Sequence, residues 1–279
     1  MKIHYLGTGG GGGIPEMFCS CRVCENARRQ RGRDVRNRPM ALLDDEMCID
    51  LPCDARSSFL MQQAEARKIR YLLVTHNHYD HFLAANLLSR PEGAQPLKLF
   101  ISRESGQEIL QMTHRARSAP EKPGMRPICV PEIHFAEPFV TFSCGKFLVT
   151  PLPARHDRSV GTLNFLITAE ERTVLWLHDT GPLLDKTVDY FQTKPCHFDF
   201  VSMDCALPCG VPVSNEHMDI LHCKKTVDLL RKLSCVNDKT AVYLSHIGHL
   251  VGCTHEELSE QARQLGFHVA YDGAVITIE

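Results

Sequence analysis

An excess of either charge sign is nearly missing from this 279-residue sequence: 31 lysines and arginines against 33 aspartates and glutamates leave a formal net charge of −2. That balance gives no global attraction for nucleic acid or an anionic membrane. No apolar run approaches the ~20 residues that a membrane-spanning helix needs. The opening MKIHYLGTGGGGGIP lacks the basic region and apolar stretch of a secretory signal, so a cytoplasmic protein is the expectation. Linkers, repeats and low-complexity segments are absent too, apart from five consecutive glycines at 9–13. With 43% hydrophobic and 23% charged residues the chain is of the globular kind, and a single domain over 1–279 is expected.

What is present in excess is cysteine and histidine, 13 and 15 residues respectively. A secreted disulfide scaffold would be shorter and would pair its thiols. Cys48, Cys129, Cys144, Cys196, Cys223 and Cys235 stand singly in apolar contexts and read as small buried side chains. Cys19, Cys21 and Cys24 fall together and read differently.

Strand-like and helix-like segments alternate. Strands are expected at 2–6, 47–50, 71–75, 97–102, 139–142, 146–152, 162–168, 173–178, 198–203 and 241–245, with a closing strand pair at 267–278. Helices are expected at 55–69, 82–90, 104–114, 218–233 and 254–265, the last opened by a Thr254/Glu257 capping box. Such a mixture, without a long linker, favours sheets covered by helices.

The most informative stretch is Tyr71-Leu-Leu-Val-Thr-His76-Asn77-His78-Tyr79-Asp80-His81, where an apolar strand delivers four potential ligands into one loop. Neutral imidazoles suit zinc, iron and similar divalent ions, and a carboxylate adds a hard oxygen. His76 and His78 can point one way while Asp80 and His81 reach another, which suits two adjacent cations. The blander reading is an exposed loop that happens to be rich in histidine. In the amino-terminal loop, three thiolates at Cys19-x-Cys21-x-x-Cys24 need a fourth ligand to close a tetrahedral zinc site; three free thiols is the alternative.

His-x-His-x-Asp-His after an apolar strand resembles the signature of the metallo-β-lactamase superfamily, and the remaining pieces follow in the family's order. Arg155-His156-Asp157 comes after FLVTPLPA, Asp179 ends WLHDTG, and His246 ends VYLSH. The resemblance implies a four-layer αββα sandwich. It also implies one ion held by His76, His78 and His156 and another by Asp80, His81 and His246, with Asp179 between them. His178 is expected to point to the opposite face of its strand and be structural, and Asp50 to steady the histidine loop. Manganese, zinc and iron are all acceptable to such a site.

A subgroup with a cysteine triplet after GTGG places its fourth zinc ligand at the position of His249, with Cys253 as a substitute here. That subgroup resembles the phosphoribosyl 1,2-cyclic phosphate phosphodiesterases. Further matches are the Arg-Pro at 38–39, VTPLP, MDC at 203–205 and the His217-x-Asp219 pair. The resemblance implies hydrolysis of a small phosphodiester by a hydroxide shared between the two ions, Asp80 standing at the site and His217 assisting the leaving group. Asp204 reads equally as a site residue or a hydrogen-bonding cap. A homodimer would be ordinary for the subgroup, and no membrane partner is expected.

Residues 15–25 are read as a zinc-clip loop. Residues 103–135, with Arg103, Arg115, Arg117, Lys122 and Arg126, are either a phosphate-binding lid or a solvated basic loop. The GTG start also resembles tRNA 3′-processing endonucleases, and Arg28, Arg29, Arg31, Arg33, Arg36 and Arg38 would be enough for an RNA-backbone patch. A helix with a solvated arginine face explains the same run, so nucleic acid is the less favoured partner. A cofactor-biosynthesis relative and a non-catalytic metal or nucleotide sensor are the remaining readings.

Overall fold

The computed structural model describes residues 1–90, 93–118, 129–209, 215–250 and 252–279. Two seven-stranded sheets carry the chain. The first contains β1 (Lys2–Gly7), β2 (Met40–Leu43), β3 (Met47–Ile49), β4 (Tyr71–Leu73), β5 (Lys98–Ile101), β6 (Glu132–Phe135) and β14 (Val275–Thr277), in the order β14-β1-β2-β3-β4-β5-β6. The second contains β7 (Phe142–Cys144), β8 (Phe147–Pro153), β9 (Leu163–Ala169), β10 (Arg172–Leu177), β11 (Phe200–Asp204), β12 (Ala241–Ser245) and β13 (His268–Val269), in the order β13-β12-β11-β10-β9-β8-β7. Helices α1 (Arg22–Gln30), α2 (Ala55–Met61), α3 (Gln107–Ser118), α4 (Asp185–Thr193), α5 (Ile220–Lys232) and α6 (His255–Gln264) complete the αββα sandwich.

Strand β10 shows why the layers stack. Successive side chains of a strand face opposite sides. Val174 and Trp176 therefore enter the core between the sheets with Tyr5, Phe147, Phe165 and Phe200. Leu175 and Leu177 face the helical layer, where they meet Phe191, Val227 and Leu258. Both faces are buried, so the strand reads as a continuous apolar run. A third apolar layer, including Leu72, Leu99 and Ile109, lies on the outer face of the first sheet. Within the central core the Tyr5 hydroxyl donates to Ser202 Oγ at 2.7 Å and His178 Nε2 meets the same oxygen at 2.8 Å, while Trp176 Nε1 and His178 Nδ1 are buried without a hydrogen-bond partner among the described residues.

Several elements differ from the sequence expectation. The 267–278 segment does not form a pair: β13 joins β12 in the second sheet and β14 joins β1 in the first. Gly273, at φ 92°, makes the turn between the two sheets. The helix expected at 55–69 stops at Met61, because Gln63 adopts φ 53°, a conformation that ends helices. Residues 84–89 form 3-10 turns and not a helix, since Leu51 accepts from and donates to the 81–83 backbone and holds it extended. Strands β2 and β6 and helix α4 lay outside the periodicity argument. Of the 103–135 segment, α3 and β6 are described, whereas 119–128, with Lys122 and Arg126, lie outside the described residues. No helix among the described residues is long and apolar enough to cross a membrane.

One buried cation ties both ends of the chain to the glycine run. Arg36 donates to Thr8 Oγ1 and to the Ala270 carbonyl, each at 2.7 Å, and meets His255 Nδ1 at 2.9 Å. Thr8 in turn donates to Asp272 at 2.7 Å. Hydrogen bonds from a charged group contribute ~1.5–3 kcal/mol each, and leaving their acceptors unpaired in the interior is costly. Arg36→Met should therefore lower the urea midpoint by the equivalent of about 3 kcal/mol. A midpoint equal to that of the unsubstituted protein would contradict this assignment.

Candidate metal centre

The carboxyl ends of β4, β10, β11 and β12 meet at one edge of the sandwich, and the loops leaving them carry the polar cluster. His76, His78, Asp80 and His81 come from the loop after β4, His156 from that after β8, and Asp179 from that after β10. Asp204 ends β11 and His246 follows β12. Asp50, Asp179 and His246 have φ of 63°, 47° and 56°, the left-handed region that side chains other than glycine rarely adopt. Each left-handed non-glycine residue costs roughly 1–3 kcal/mol and persists because surrounding contacts impose it.

Two four-residue donor sets result: His76, His78, His156 and Asp179 in one, and Asp80, His81, Asp179 and His246 in the other. Within each set the candidate ligand atoms lie within 4.8 Å of one another. Asp179 is common to both, and it also belongs to a third, overlapping set with Asp204, His217 and His246. Its Oδ2 lies 2.9 Å from His81 Nε2 and 3.2 Å from His76 Nε2, and its Oδ1 lies 3.0 Å from His246 Nε2. The buried Oδ1 nevertheless receives no well-directed hydrogen bond. Ring nitrogens also converge on one another, His76 Nε2 on His78 Nδ1 at 2.9 Å and His81 Nε2 on His246 Nε2 at 3.2 Å. Such convergence of imidazole nitrogens and carboxylate oxygens, all good lone-pair donors, fits divalent cations in both places.

The electrostatics agree. Burial, followed by the charge of His81, lowers the His76 imidazole to about 3, so it stays neutral and free to ligate. Burial would lower His81 as well, but Asp179 and Asp50 outweigh it and raise that ring well above its ordinary range. Their negative field attracts a proton where it would attract a metal ion. Burial pushes Asp179 up, yet His246 and His81 pull it well below the usual carboxylate range.

Supporting contacts hold the donors in place. Asp50 accepts the Thr75 amide at 2.8 Å and meets His81 Nδ1 at 2.7 Å, which fixes which nitrogen of His81 faces Asp179. The Thr75 hydroxyl touches Asp50, His76 Nδ1 and His81 Nδ1, a role the sequence reading did not anticipate. Asp157 Oδ2 lies 3.7 Å from His78 Nε2. His178 belongs to the central core against Trp176, away from both donor sets. Gly10 and Gly11 lie over the site: a Cβ on Gly11 would stand 3.6 Å from Asp80 Oδ2, and one on Gly10 3.4 Å from the His246 ring.

Asp204 had been readable only as site residue or cap, and its geometry serves both purposes. Oδ1 accepts the Ala206 and Met218 amides at 3.1 Å each. Oδ2 faces His217 Nδ1 at 3.1 Å and His246 Nδ1 at 3.4 Å. His217 Nδ1 is also 3.4 Å from Asp179 Oδ1, so the structure brings His217 to the rim of the donor sets. Asp219 caps α5 by accepting the His222 amide.

Cys19, Cys21, Cys24 and His249 form a separate cluster with ligand atoms again within 4.8 Å of one another. Burial would raise the Cys21 thiol, but the Cys24 amide, His249 and Cys19 bring it down to about 6, toward the thiolate that a metal requires. Cys253 is not a substitute ligand, because its sulfur is in a disulfide with Cys209. The arginines at 28–38 are largely spoken for. Arg28 binds the Cys19 and Glu16 carbonyls, Arg33 lies over Tyr271, Arg36 is buried, and Arg38 binds the Gly11 carbonyl and Asp54.

An αββα sandwich with two His/Asp donor sets sharing one aspartate at the strand ends defines a metallohydrolase class. The chain belongs to the metallo-β-lactamase superfamily: the family model described as a beta-lactamase superfamily domain matches residues 51–247. Among solved structures it is similar to a diphosphatase from the PhnP family, with 22% identity, a TM-score of 0.73, and coverage of 100% of this chain and 98% of that one. The short form of human tRNase Z is similar at 15% identity and a TM-score of 0.70, with 100% of both chains covered. An octanoyltransferase of Porphyromonas gingivalis is 26% identical over 186 residues, 61% of this chain. The match spans only 36% of that curated relative's length.

The His217–Asp204 contact yields a measurable titration. Burial opposes a charged His217, but Asp204 and then Asp179 outweigh it and raise its pKa to about 9 in the metal-free chain. The sign is that of a raised histidine: its stabilisation is complete below the unfolded value of ~6.5 and is lost as pH rises through about 9. Histidine NMR of metal-free Asp204→Asn should show the His217 midpoint moving down by more than one pH unit. An unmoved midpoint would mean that Asp204 does not charge this ring.

Proposed function

We propose that the protein is a dinuclear metal-dependent phosphodiesterase acting on a small, cyclic phosphodiester such as phosphoribosyl 1,2-cyclic phosphate. The observation that carries the reading is His217, placed beside both donor sets and backed by Asp204. In this reading His76, His78, His156 and Asp179 hold one cation, and Asp80, His81, His246 and Asp179 hold the other. Zinc, manganese and iron are all compatible with the ligands. The pair supplies Lewis acidity toward phosphoryl oxygens and lowers the pKa of water. A structural zinc sits in Cys19, Cys21, Cys24 and His249.

The side chains account for the proton movements. As a water oxygen bonds to phosphorus and the ester phosphorus–oxygen bond breaks, His217, its Nδ1 proton directed at Asp204, gives its Nε2 proton to the departing alkoxide and is reprotonated with the proton that the water releases. Asp204 holds the ring in that tautomer while its other oxygen is fixed by two amides. Gly10 and Gly11 lie close over His246 and Asp80, where a side chain would crowd the site. We read residues 1–279 as one hydrolase domain, supported by the pairing of β1 with β14. Arg103 lies over Phe135 and is the described basic residue best placed to belong to a lid.

The tRNA-processing reading is the less favoured one, because Arg28, Arg36 and Arg38 of the arginine run are engaged within the protein, which leaves Arg29, Arg31 and Arg33 exposed for an RNA backbone. A non-catalytic sensor has no use for an imidazole backed by a carboxylate beside the donor sets.

The test is a screen of metal-loaded protein against cyclic and linear phosphodiesters, precursor tRNA and an acyl thioester. Turnover is expected on a cyclic phosphodiester, and His217→Ala should reduce kcat ~100-fold or more with KM little changed. Cleavage of precursor tRNA or thioester alone, or His217→Ala retaining full turnover, would contradict the proposal.

A further inference from the structure

Glu16 was singled out by no motif, yet it touches three parts of the molecule at once. Its carboxylate Oε2 lies 3.0 Å from His249 Nε2. Its backbone amide donates to Cys24 Sγ at 3.4 Å. Its side chain lies against the glycine run, so closely that a Cβ on Gly12 would stand 2.8 Å from Oε1. Arg28 holds the Glu16 carbonyl at 2.7 Å and the Cys19 carbonyl at 2.6 Å, which fixes the backbone between them.

The two nitrogens of His249 therefore have different neighbours. Nδ1 faces the sulfurs of Cys19 and Cys21, 3.5 Å from each, and Nε2 faces Glu16. A histidine can ligate through one nitrogen only when that nitrogen carries no proton, and a carboxylate on the other nitrogen fixes the proton there. The hydrogen-bonded carboxylate also makes the ring a stronger donor. The amide on Cys24 favours the thiolate in the same way.

We propose that Glu16 is the positioning carboxylate of the cysteine clip, fixing His249 with Nδ1 toward the thiolates and coupling the occupied clip to the glycine run over the catalytic pair. The inference rests on the clip reading given above. The coupling runs through short contacts. Glu16 packs on Gly12; Gly10 donates to the Ile247 carbonyl at 2.9 Å; and Ile247 lies between His246 and His249 in sequence. Arg28, Glu16 and the clip thus set the loop that carries His246.

The experiment uses the full chain loaded with cobalt or zinc. The unsubstituted protein should show a thiolate-to-cobalt charge-transfer band and slow release of clip zinc to a chelator. Glu16→Ala should weaken the band and speed clip release ~10–100-fold, and Glu16→Gln, which retains a hydrogen-bond acceptor, should fall between. Glu25→Ala removes another carboxylate that binds Arg28, at 2.7 Å, but does not touch His249; it should release zinc at the unsubstituted rate. Glu16→Ala with an unchanged band and rate overturns the role of Glu16 alone. Equal acceleration by Glu25→Ala also overturns it, since general loosening would then suffice. An unsubstituted protein without the thiolate band removes the clip reading and this inference together.

Discussion

A single buried carboxylate presented to imidazoles on two sides is the constraint around which this molecule is arranged. Asp179 leaves β10 in a left-handed conformation, and that turn aims one oxygen at His76 and His81 and the other at His246 and His217. So many ring nitrogens around one carboxylate are a poor hydrogen-bonding arrangement, because several lone pairs meet without enough protons between them. They are a good coordination arrangement for the same reason. The strain at Asp50, Asp179 and His246 is tolerated because the strand residues just before them are buried and cannot relax to relieve it.

The fold supplies that rigidity from both halves of the chain. Each sheet buries one face against the other and one against helices, so the strand ends are fixed before any loop is considered. The first sheet provides the histidine loop and the second provides His156, Asp179, Asp204 and His246. Neither half has the complete donor set. The glycine run, anchored through Arg36 and Thr8, bridges the halves at the same edge, and the cysteine cluster fastens that run to the loop after β12.

Much of the centre was legible because local and global signals coincide there. His76 to His81 follow an apolar strand within a few residues, and His156, Asp179 and His246 each follow another such strand. The long buried strands β8 to β12 were readable for the same reason. What escaped was set by tertiary contacts. Strands β13 and β14 fall within the expected 267–278 segment, but their partners lie in different sheets, which no local pattern encodes. The 3-10 turns at 84–89 follow from a backbone bridge to Leu51 that no local pattern encodes. Thr75 and Glu16 are ordinary residue types whose importance lies in what they touch. The Cys209–Cys253 bond joins cysteines 44 positions apart, in a chain with many thiols to choose from. The arginine run divides between the legible and the hidden: Arg29, Arg31 and Arg33 are exposed at and after the end of α1, near the solvated face expected of it, whereas Arg36 is buried in contacts that the sequence does not encode locally.

The central claim is that Asp179 is shared by two cations. Anomalous diffraction from crystals grown with zinc or manganese tests it most directly. The account requires two peaks at the sheet edge, ~3.5–4 Å apart, each within ligand distance of an Asp179 oxygen. A single peak, or a pair that leaves Asp179 uncoordinated, would contradict it.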